Sequence, residues 1–397
     1  MNKLRSLLEE SGPNTAPGRI VRVLREYGSL SASQIARITG LAKSTVSTAL
    51  SELRRSGMVV ESAGTDVGRN AGVGRPATLL TLNPQAGTSV GILVGFDHIQ
   101  LMVADVSHAV LFDESVEMEY DYSPERAAEV VRGLVAKAYD VSAVSKDSLL
   151  GVGIAVGSPV DPTSGRVMRA GGVPTWAGMD IRTIFQSDFE LPVFADNESN
   201  CAAIAEMTWG AAVGHENFVL YTIDLGVGGA IVSHGQVMRG VAGAAGEFGH
   251  ISIEPDGPLC RCGNRGCLEL YASFREPLTL ARSQYGALSI EDVARRAARG
   301  CVGCRRLIED TAEAAGRGLG IITATLNPDL IIIAGRLVHS GDVLMDALAK
   351  SYDRHSLVKS YDVSESARTK LVPTQFVGTG ACMGAVGLVL RHHGRLT

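Results

Sequence analysis

Glu247–Glu269 reads EFGHISIEPDGPLCRCGNRGCLE. The stretch sets His250 ten residues ahead of Cys260, with Cys262 and Cys267 following. Three thiols within eight residues and one imidazole make a Cys3His donor set. The interleaved Gly257, Gly263 and Gly266 permit the tight turns that would bring the four groups together. Four protein donors complete a tetrahedral zinc and leave no open position for water, so the metal expected here is structural. Free thiols on a loop are the plain alternative, and the clustering argues against it. Cys301 and Cys304 form a CxxC with no second pair, in a stretch (ARRAARGCVGCRRL) that reads as helix, while Cys201 and Cys382 read as core. Seven cysteines in 397 residues are too few and too unevenly spaced for a disulfide scaffold.

Outward from this loop the pattern is α/β. Ser89–Val94 and Ile99–Val106 read as strands flanking a short turn, and Phe218–Ile223 and Ala230–Gln236 repeat that layout. Two such openings, each followed by helical stretches, imply a duplicated architecture of two lobes around a cleft. Phe194–Glu206 (FADNESNCAAIAE) reads as a strand end running into a helix, with Asp196, Asn197, Glu198 and Asn200 at the junction. Helix capping would account for one of those four polar residues but not all.

Composition bounds the rest. Hydrophobic residues are 45% and charged residues 20%, which excludes a largely disordered chain. No uncharged apolar run approaches the ~18–20 residues of a membrane helix, and MNKLRSLLEESG is no secretory signal. Those features point to a soluble cytoplasmic protein. The net charge of −5 conceals an asymmetry: residues 1–82 hold 11 Lys/Arg against 6 Asp/Glu, which leaves 26 against 36 for residues 83–397. A basic head on an acidic body suggests that only the head meets a polyanion.

The head, residues 17–82, reads as three short helices and a hairpin. Ile20, Leu24 and Tyr27 form one apolar stripe ended by Gly28. Ser31 and Gln34 have capping-box spacing ahead of a helix whose buried side is Ile35 and Ile38, and Gly40 closes it. The third helix buries Val46, Ala49, Leu50 and Leu53 and presents Lys43, Ser44, Thr45, Ser47, Thr48 and Ser51, with no acid before Glu52. Small hydroxyls and one cation suit a helix lying in the major groove, where a carboxylate would be repelled. Met58–Val60, a Gly-rich stretch bearing Arg69 and Arg75, and the strand Thr78–Leu82 would form a wing over the phosphate backbone or the minor groove. A protein-binding helical domain is the alternative.

A winged helix-turn-helix head, GRPA at 74–77, GEFGH at 246–250 and the CRCGNRGCLE run together resemble the ROK family of repressors and sugar kinases. The resemblance spans nearly the whole chain. It implies an N-terminal winged helix-turn-helix (α+β) followed by an α/β ribonuclease H/actin-like body of two lobes. In this reading residues 1–16 are a flexible N-terminus and 83–397 the body. Its lobes run over about 88–212 with the C-terminal helix 380–397, and over about 213–379. By the same resemblance Asn197, Glu198, Glu247, His250 and Glu269 would hold sugar hydroxyls, and His250 could serve zinc with one ring nitrogen and sugar with the other.

Departures from the kinase pattern separate regulator from enzyme. Kinases of the family carry Asp-x-Gly-Gly-Thr where this chain has Leu93–Val94–Gly95–Phe96–Asp97, and Gly-Thr-Gly-x-Gly-Gly-Gly where it has Asp224–Leu225–Gly226–Val227–Gly228–Gly229–Ala230. A carboxylate facing a phosphate is repelled. The adenosine stretch, Ala334–Gly335–Arg336, has lost glycine, and Glu198 stands where the catalytic Asp belongs. The longer side chain displaces the base by over an ångström, a shift that can cost about a hundredfold in rate. The expectation is therefore a non-enzymatic, sugar-responsive repressor of carbohydrate genes. It would act as a homodimer or homotetramer on double-stranded operator DNA, with structural zinc, a sugar or sugar phosphate effector and no membrane partner. An ATP-dependent sugar kinase with a DNA-binding head, and a ligand-independent oligomeric regulator, are the alternatives.

Overall fold

The computed structural model describes residues 15–61, 78–106, 108–141, 144, 148–168, 174–186, 188–357 and 368–392. The expected wing tip with Arg69 and Arg75, the GRPA motif, residues 1–14 of the N-terminus and residues 393–397 of the C-terminal helix lie outside the described residues.

In the head, α1 (Ala16–Tyr27), α2 (Ala32–Thr39) and α3 (Lys43–Arg55) pack on a small antiparallel sheet of β1 (Leu30–Ser31), β2 (Val59–Glu61) and β3 (Leu79–Leu82), in the order β1-β3-β2. The capping box forms: the Gln34 amide donates to Ser31 Oγ at 3.3 Å and the Ser31 amide to Gln34 Oε1 at 2.8 Å. Gly40 ends α2 in the left-handed region at φ 66°. Ile20, Leu24, Ile35, Val46, Ala49, Leu50 and Leu53 are buried. Two expected core residues are not. Tyr27 is 53% exposed because it ends its helix, beyond the packed turns. Ile38 is 37% exposed because the inward position one turn after Ile35 belongs to Thr39, whose hydroxyl donates to the Ile35 carbonyl.

The body repeats one topology. Its first sheet contains β4 (Thr88–Val94), β5 (His98–Asp105), β6 (Val110–Glu117), β7 (Leu149–Val156) and β8 (Val193–Asn197), in the order β6-β5-β4-β7-β8. The second contains β9 (Phe218–Ile223), β10 (Val227–Ser233), β11 (Gln236–Met238), β12 (Leu330–Ala334) and β13 (Lys370–Pro373), in the order β11-β10-β9-β12-β13. Both are antiparallel over the first three strands and parallel over the last two, so the duplication expected from the strand–turn–strand openings is present in three dimensions.

The first lobe is covered by α4 (Pro124–Val141) and α5 (Ile181–Gln186). Next come α6 (Glu198–Trp209) and, in the second lobe, α7 (Glu269–Ala272), α8 (Arg275–Tyr285), α9 (Ile290–Ala298), α10 (Val302–Leu326) and α11 (Asp342–His355). α12 (Gly380–His392) returns to the first lobe and lies against α6, β4 and β7. One apolar cluster joins α6 and α12 to both sheets through Leu93, Cys201, Leu220, Ile332 and Cys382, so the two helices form the layer between the lobes.

Two local readings are corrected. The strand expected over Ala230–Gln236 begins at Val227, because a tight turn (Asp224 N–H to Gly226 C=O, 2.9 Å) lets Val227 pair opposite Ile223; Gly228 and Gly229 are strand residues. Cys301 is the N-cap of α10 and Cys304 lies in its first turn; Gly300 (φ 94°) marks the break from α9, so the CxxC is not mid-helix. Among the described residues no helix is long and apolar enough to cross a membrane.

A methyl group built on Gly384 of α12 would lie 1.6 Å from the Cys201 carbonyl, whereas one on Gly133, exposed in α4, meets nothing within 4 Å. Gly384→Ala is expected to destabilise by about 1–3 kcal/mol through overpacking. Gly133→Ala should stabilise by ~0.5–1 kcal/mol through helix propensity. Urea denaturation of the two variants should give shifts of opposite sign.

Candidate functional site

The cleft opens where the ends of β4, β7, β8, β9 and β12 face one another. From the first lobe it is lined by the Gly95–His98 turn, Gly157–Pro159 and Asn197–Ser199, and from the second by the Asp224–Gly226 turn, Glu247, His250, Arg261, Glu269 and Arg336. All five expected sugar contacts, Asn197, Glu198, Glu247, His250 and Glu269, therefore share one cavity.

The four polar residues at the β8–α6 junction divide. Asn197 caps α6, its Oδ1 accepting from the Ser199 amide at 2.9 Å and the Asn200 amide at 3.4 Å. Asp196 is buried and accepts from Arg239 Nε (2.8 Å) and Asn200 Nδ2 (2.8 Å), so Asp196 and Asn200 are structural. Glu198 enters the cleft and makes no ion pair among the described residues. Burial, with the nearby Asp224 charge, pushes its carboxyl up to about 7. Glu247 is likewise pushed up to about 7 by burial and by Glu269.

The other end of the cleft is occupied by a cation the sequence reading had not placed. The Arg336 guanidinium meets Asp224 through Nη2 (2.5 Å) and Nε (3.0 Å), and the Arg336 amide donates to Asp224 Oδ2 at 2.8 Å. Nη1 and Nη2 also reach Asp97 Oδ2 across the cleft at 3.3 Å. His98 Nδ1 lies 2.7 Å from the other Asp97 oxygen. Burial raises the Asp97 carboxyl, but the His98 hydrogen bond and the Arg336 charge outweigh it and hold it down to about 2. Asp224, more deeply buried, is also held below the usual carboxylate range by Arg336. The turn compared with a phosphate loop in the sequence thus has its carboxylate committed to the guanidinium and backbone amide of Arg336.

Arg261 was also missed, although it lies inside the CRCG run. It forms a bidentate pair with Glu269 (Nε–Oε1 2.9 Å, Nη2–Oε2 3.0 Å) and sits 5.5 Å over the Phe96 ring. Glu269 is therefore already partnered.

His250, Cys260, Cys262 and Cys267 bring their donor atoms within 4.8 Å of one another. Cys262 Sγ and Cys267 Sγ are 3.6 Å apart, and Cys260 Sγ is 3.7 Å from His250 Nδ1. A zinc–sulfur bond of about 2.3 Å gives a tetrahedral S···S edge of about 3.8 Å, so these separations fit the metal and are too long for a disulfide. Burial holds the imidazole pKa below its usual value, which favours the neutral, ligating form. Nε2, the other nitrogen, is 3.8 Å from Glu247 Oε2 on the cleft side.

In the head, Lys43, Ser44, Thr45, Ser47, Thr48 and Ser51 are all exposed on α3, which carries no acid in its first turn. The Thr48 hydroxyl donates to the Ser44 carbonyl (3.1 Å) and the Ser51 hydroxyl to that of Ser47 (2.9 Å), leaving the oxygens outward as acceptors. The head's apolar core does not end at its boundary: Leu80 and Leu82 belong to one cluster with Ala104, Val106 and Leu150 of the first lobe and Val386 and Val389 of α12.

Comparison with known proteins places these features together. The ROK family pattern matches residues 89–392, and that of the bacterial regulatory proteins of the arsR family matches residues 19–60. The chain is 29% identical over 374 residues to the xylose repressor of Bacillus subtilis, covering 94% of each. A ROK family transcriptional regulator described as a homologue of the E. coli MLC protein superposes with TM-score 0.72 at 23% identity over 96% of both chains. A ROK family glucokinase from Streptomyces griseus, in complex with glucose and AMPPNP, superposes with TM-score 0.68 at 25% identity over 77% of this chain and 100% of that one.

Cys267→Ser removes one of four closely set donors, so metal measured by atomic emission on the purified protein is expected to fall from about one zinc per chain to near zero. Loss of melting temperature should accompany it. An unchanged metal content would refute the donor set.

Proposed function

The chain belongs to the ROK family, and from that premise we propose that it is a sugar-responsive DNA-binding repressor with a structural zinc and a nucleotide pocket that no longer serves ATP. The observation that carries this reading is the continuity of the apolar core from the head into the first lobe, the lobe that brings Asp97, Asn197 and Glu198 to the cleft. A ligand that changes how the lobes face one another also changes where the head stands relative to the second lobe.

Recognition is assigned to α3, with Lys43, Ser44, Thr45, Ser47 and Thr48 in the major groove and Arg69 and Arg75 on the wing against the backbone. A homodimer or homotetramer would present paired heads to a nearly palindromic operator. Sugar hydroxyls are assigned to Asn197, Glu198, Glu247, His250 and Glu269, with Glu269 held through Arg261. Directional contacts of this kind reject isomers, since a misplaced hydroxyl leaves a buried polar group unpaired. The zinc fixes the loop that delivers His250 and Glu269 and takes no part in chemistry. The relationship to the xylose repressor supports a pentose or hexose as effector.

Titrating the full-length protein against its own promoter DNA by fluorescence anisotropy, with and without a panel of sugars, tests the reading. A coupling of about 1–3 kcal/mol would change DNA affinity roughly fivefold to 150-fold. Indifference to every sugar would end the coupling part and leave DNA recognition standing. Thr45→Ala should weaken operator binding by about 1–2 kcal/mol without altering sugar affinity.

A second reading, sugar kinase activity, is favoured by Glu198, a cleft carboxyl whose proton affinity suits a general base near neutral pH. Its obstacle is Arg336, which a nucleotide phosphate would have to draw away from Asp224 and Asp97. Sugar-dependent ADP release from Mg-ATP is expected to be absent in a coupled assay. Its appearance would favour the kinase.

A further inference from the structure

The cleft lining is unbalanced in charge. Asp97, Glu198, Asp224, Glu247 and Glu269 supply five carboxyls, while the guanidiniums are those of Arg261 and Arg336 alone among the described lining residues. Both are already matched inside the protein, Arg261 by Glu269 and Arg336 by Asp224 and Asp97. With Glu198 and Glu247 protonated, three carboxylates still face two guanidiniums. His98 is paired with Asp97. A zinc held by three thiolates and a neutral imidazole would contribute one net negative charge, so the metal loop supplies no positive field either. No cation in the lining is left to receive an anion without first giving up a carboxylate.

We propose that the Asp97–Arg336–Asp224 cluster sets the chemical class of the effector: the cleft takes an uncharged sugar and turns away the same sugar carrying a phosphate. This rests on the sugar-cleft reading above and narrows it. A phosphate monoester brings about −1.5 to −2 charges at pH 7 and needs donors around its oxygens. Toward Arg336 it meets two aspartates that already hold the guanidinium. Toward Arg261 it meets Glu269. Hydroxyls suffer neither conflict, because they donate hydrogen bonds to the same carboxylates.

The test is calorimetric titration of the zinc-loaded full-length protein with D-xylose, D-glucose, N-acetyl-D-glucosamine, glucose 6-phosphate and N-acetylglucosamine 6-phosphate. In the wild type a free sugar is expected to bind and its phosphate ester to bind about tenfold more weakly or worse. In the Asp97→Asn/Asp224→Asn double variant, which leaves Arg336 only the looser Glu291 contact at 3.8 Å among the described residues, the ratio of the two dissociation constants should move toward the ester by about tenfold. Asp97→Asn alone, which leaves the Asp224 bonds within the second lobe intact, serves if the double variant does not fold and should move the ratio the same way. An ester that binds the wild type as tightly as its free sugar, or a ratio unmoved in folded variants, overturns the proposal. Binding of none of the five ligands to folded protein overturns the sugar-cleft reading itself, a distinguishable failure.

Discussion

Arg336 is the hinge of the electrostatics. It stands in a cleft lined by five carboxyls, bonds one aspartate of its own lobe with side chain and backbone, and reaches a second aspartate in the other lobe. An unpaired guanidinium in so enclosed a place would be costly, and so would the aspartates without it. The three charges therefore hold one another, and they join the lobes at one end of the cleft.

The opposite wall has a different origin of order. The Cys3His loop has glycine-rich tight turns closed by backbone hydrogen bonds, such as the Cys260 amide to the Asn264 carbonyl at 2.7 Å, and its four donors converge on one point. Cys267 immediately precedes Leu268 and Glu269, and His250 follows Glu247 by three residues, so a metal that fixed the sulfurs and the imidazole would also fix two cleft carboxyls. Arg261, between Cys260 and Cys262, is aimed by the same turns at Glu269 and Phe96. The cleft wall and the Cys3His cluster are one structural unit here.

Among the described residues the head and the first lobe share one apolar core. β3 is the central strand of the head's small sheet, and its Leu80 and Leu82 share a core with β5, Leu150 and α12. α12 in turn lies on α6, whose first residue is Glu198. Close-packed helices transmit displacements because a core holds few discrete arrangements. That gives the proposed response a physical route from effector to recognition helix.

Much of this was legible in the sequence for definite reasons. Local rules and periodicity determined the capping box at Ser31, the buried stripe of α3, the duplicated strand openings and the Cys3His spacing, because each is decided by residues within a few positions of one another. Two core assignments failed, Ile38 because Thr39 takes the inward position and Tyr27 because it ends its helix. The partners of Glu269 and Asp224 were beyond such rules. Whether Glu269 is free depends on Arg261, and what Asp224 faces depends on Arg336, 112 residues away in the chain. Charge pairing acts through space, so only the folded chain could decide which carboxylates were matched and which were left to meet a ligand.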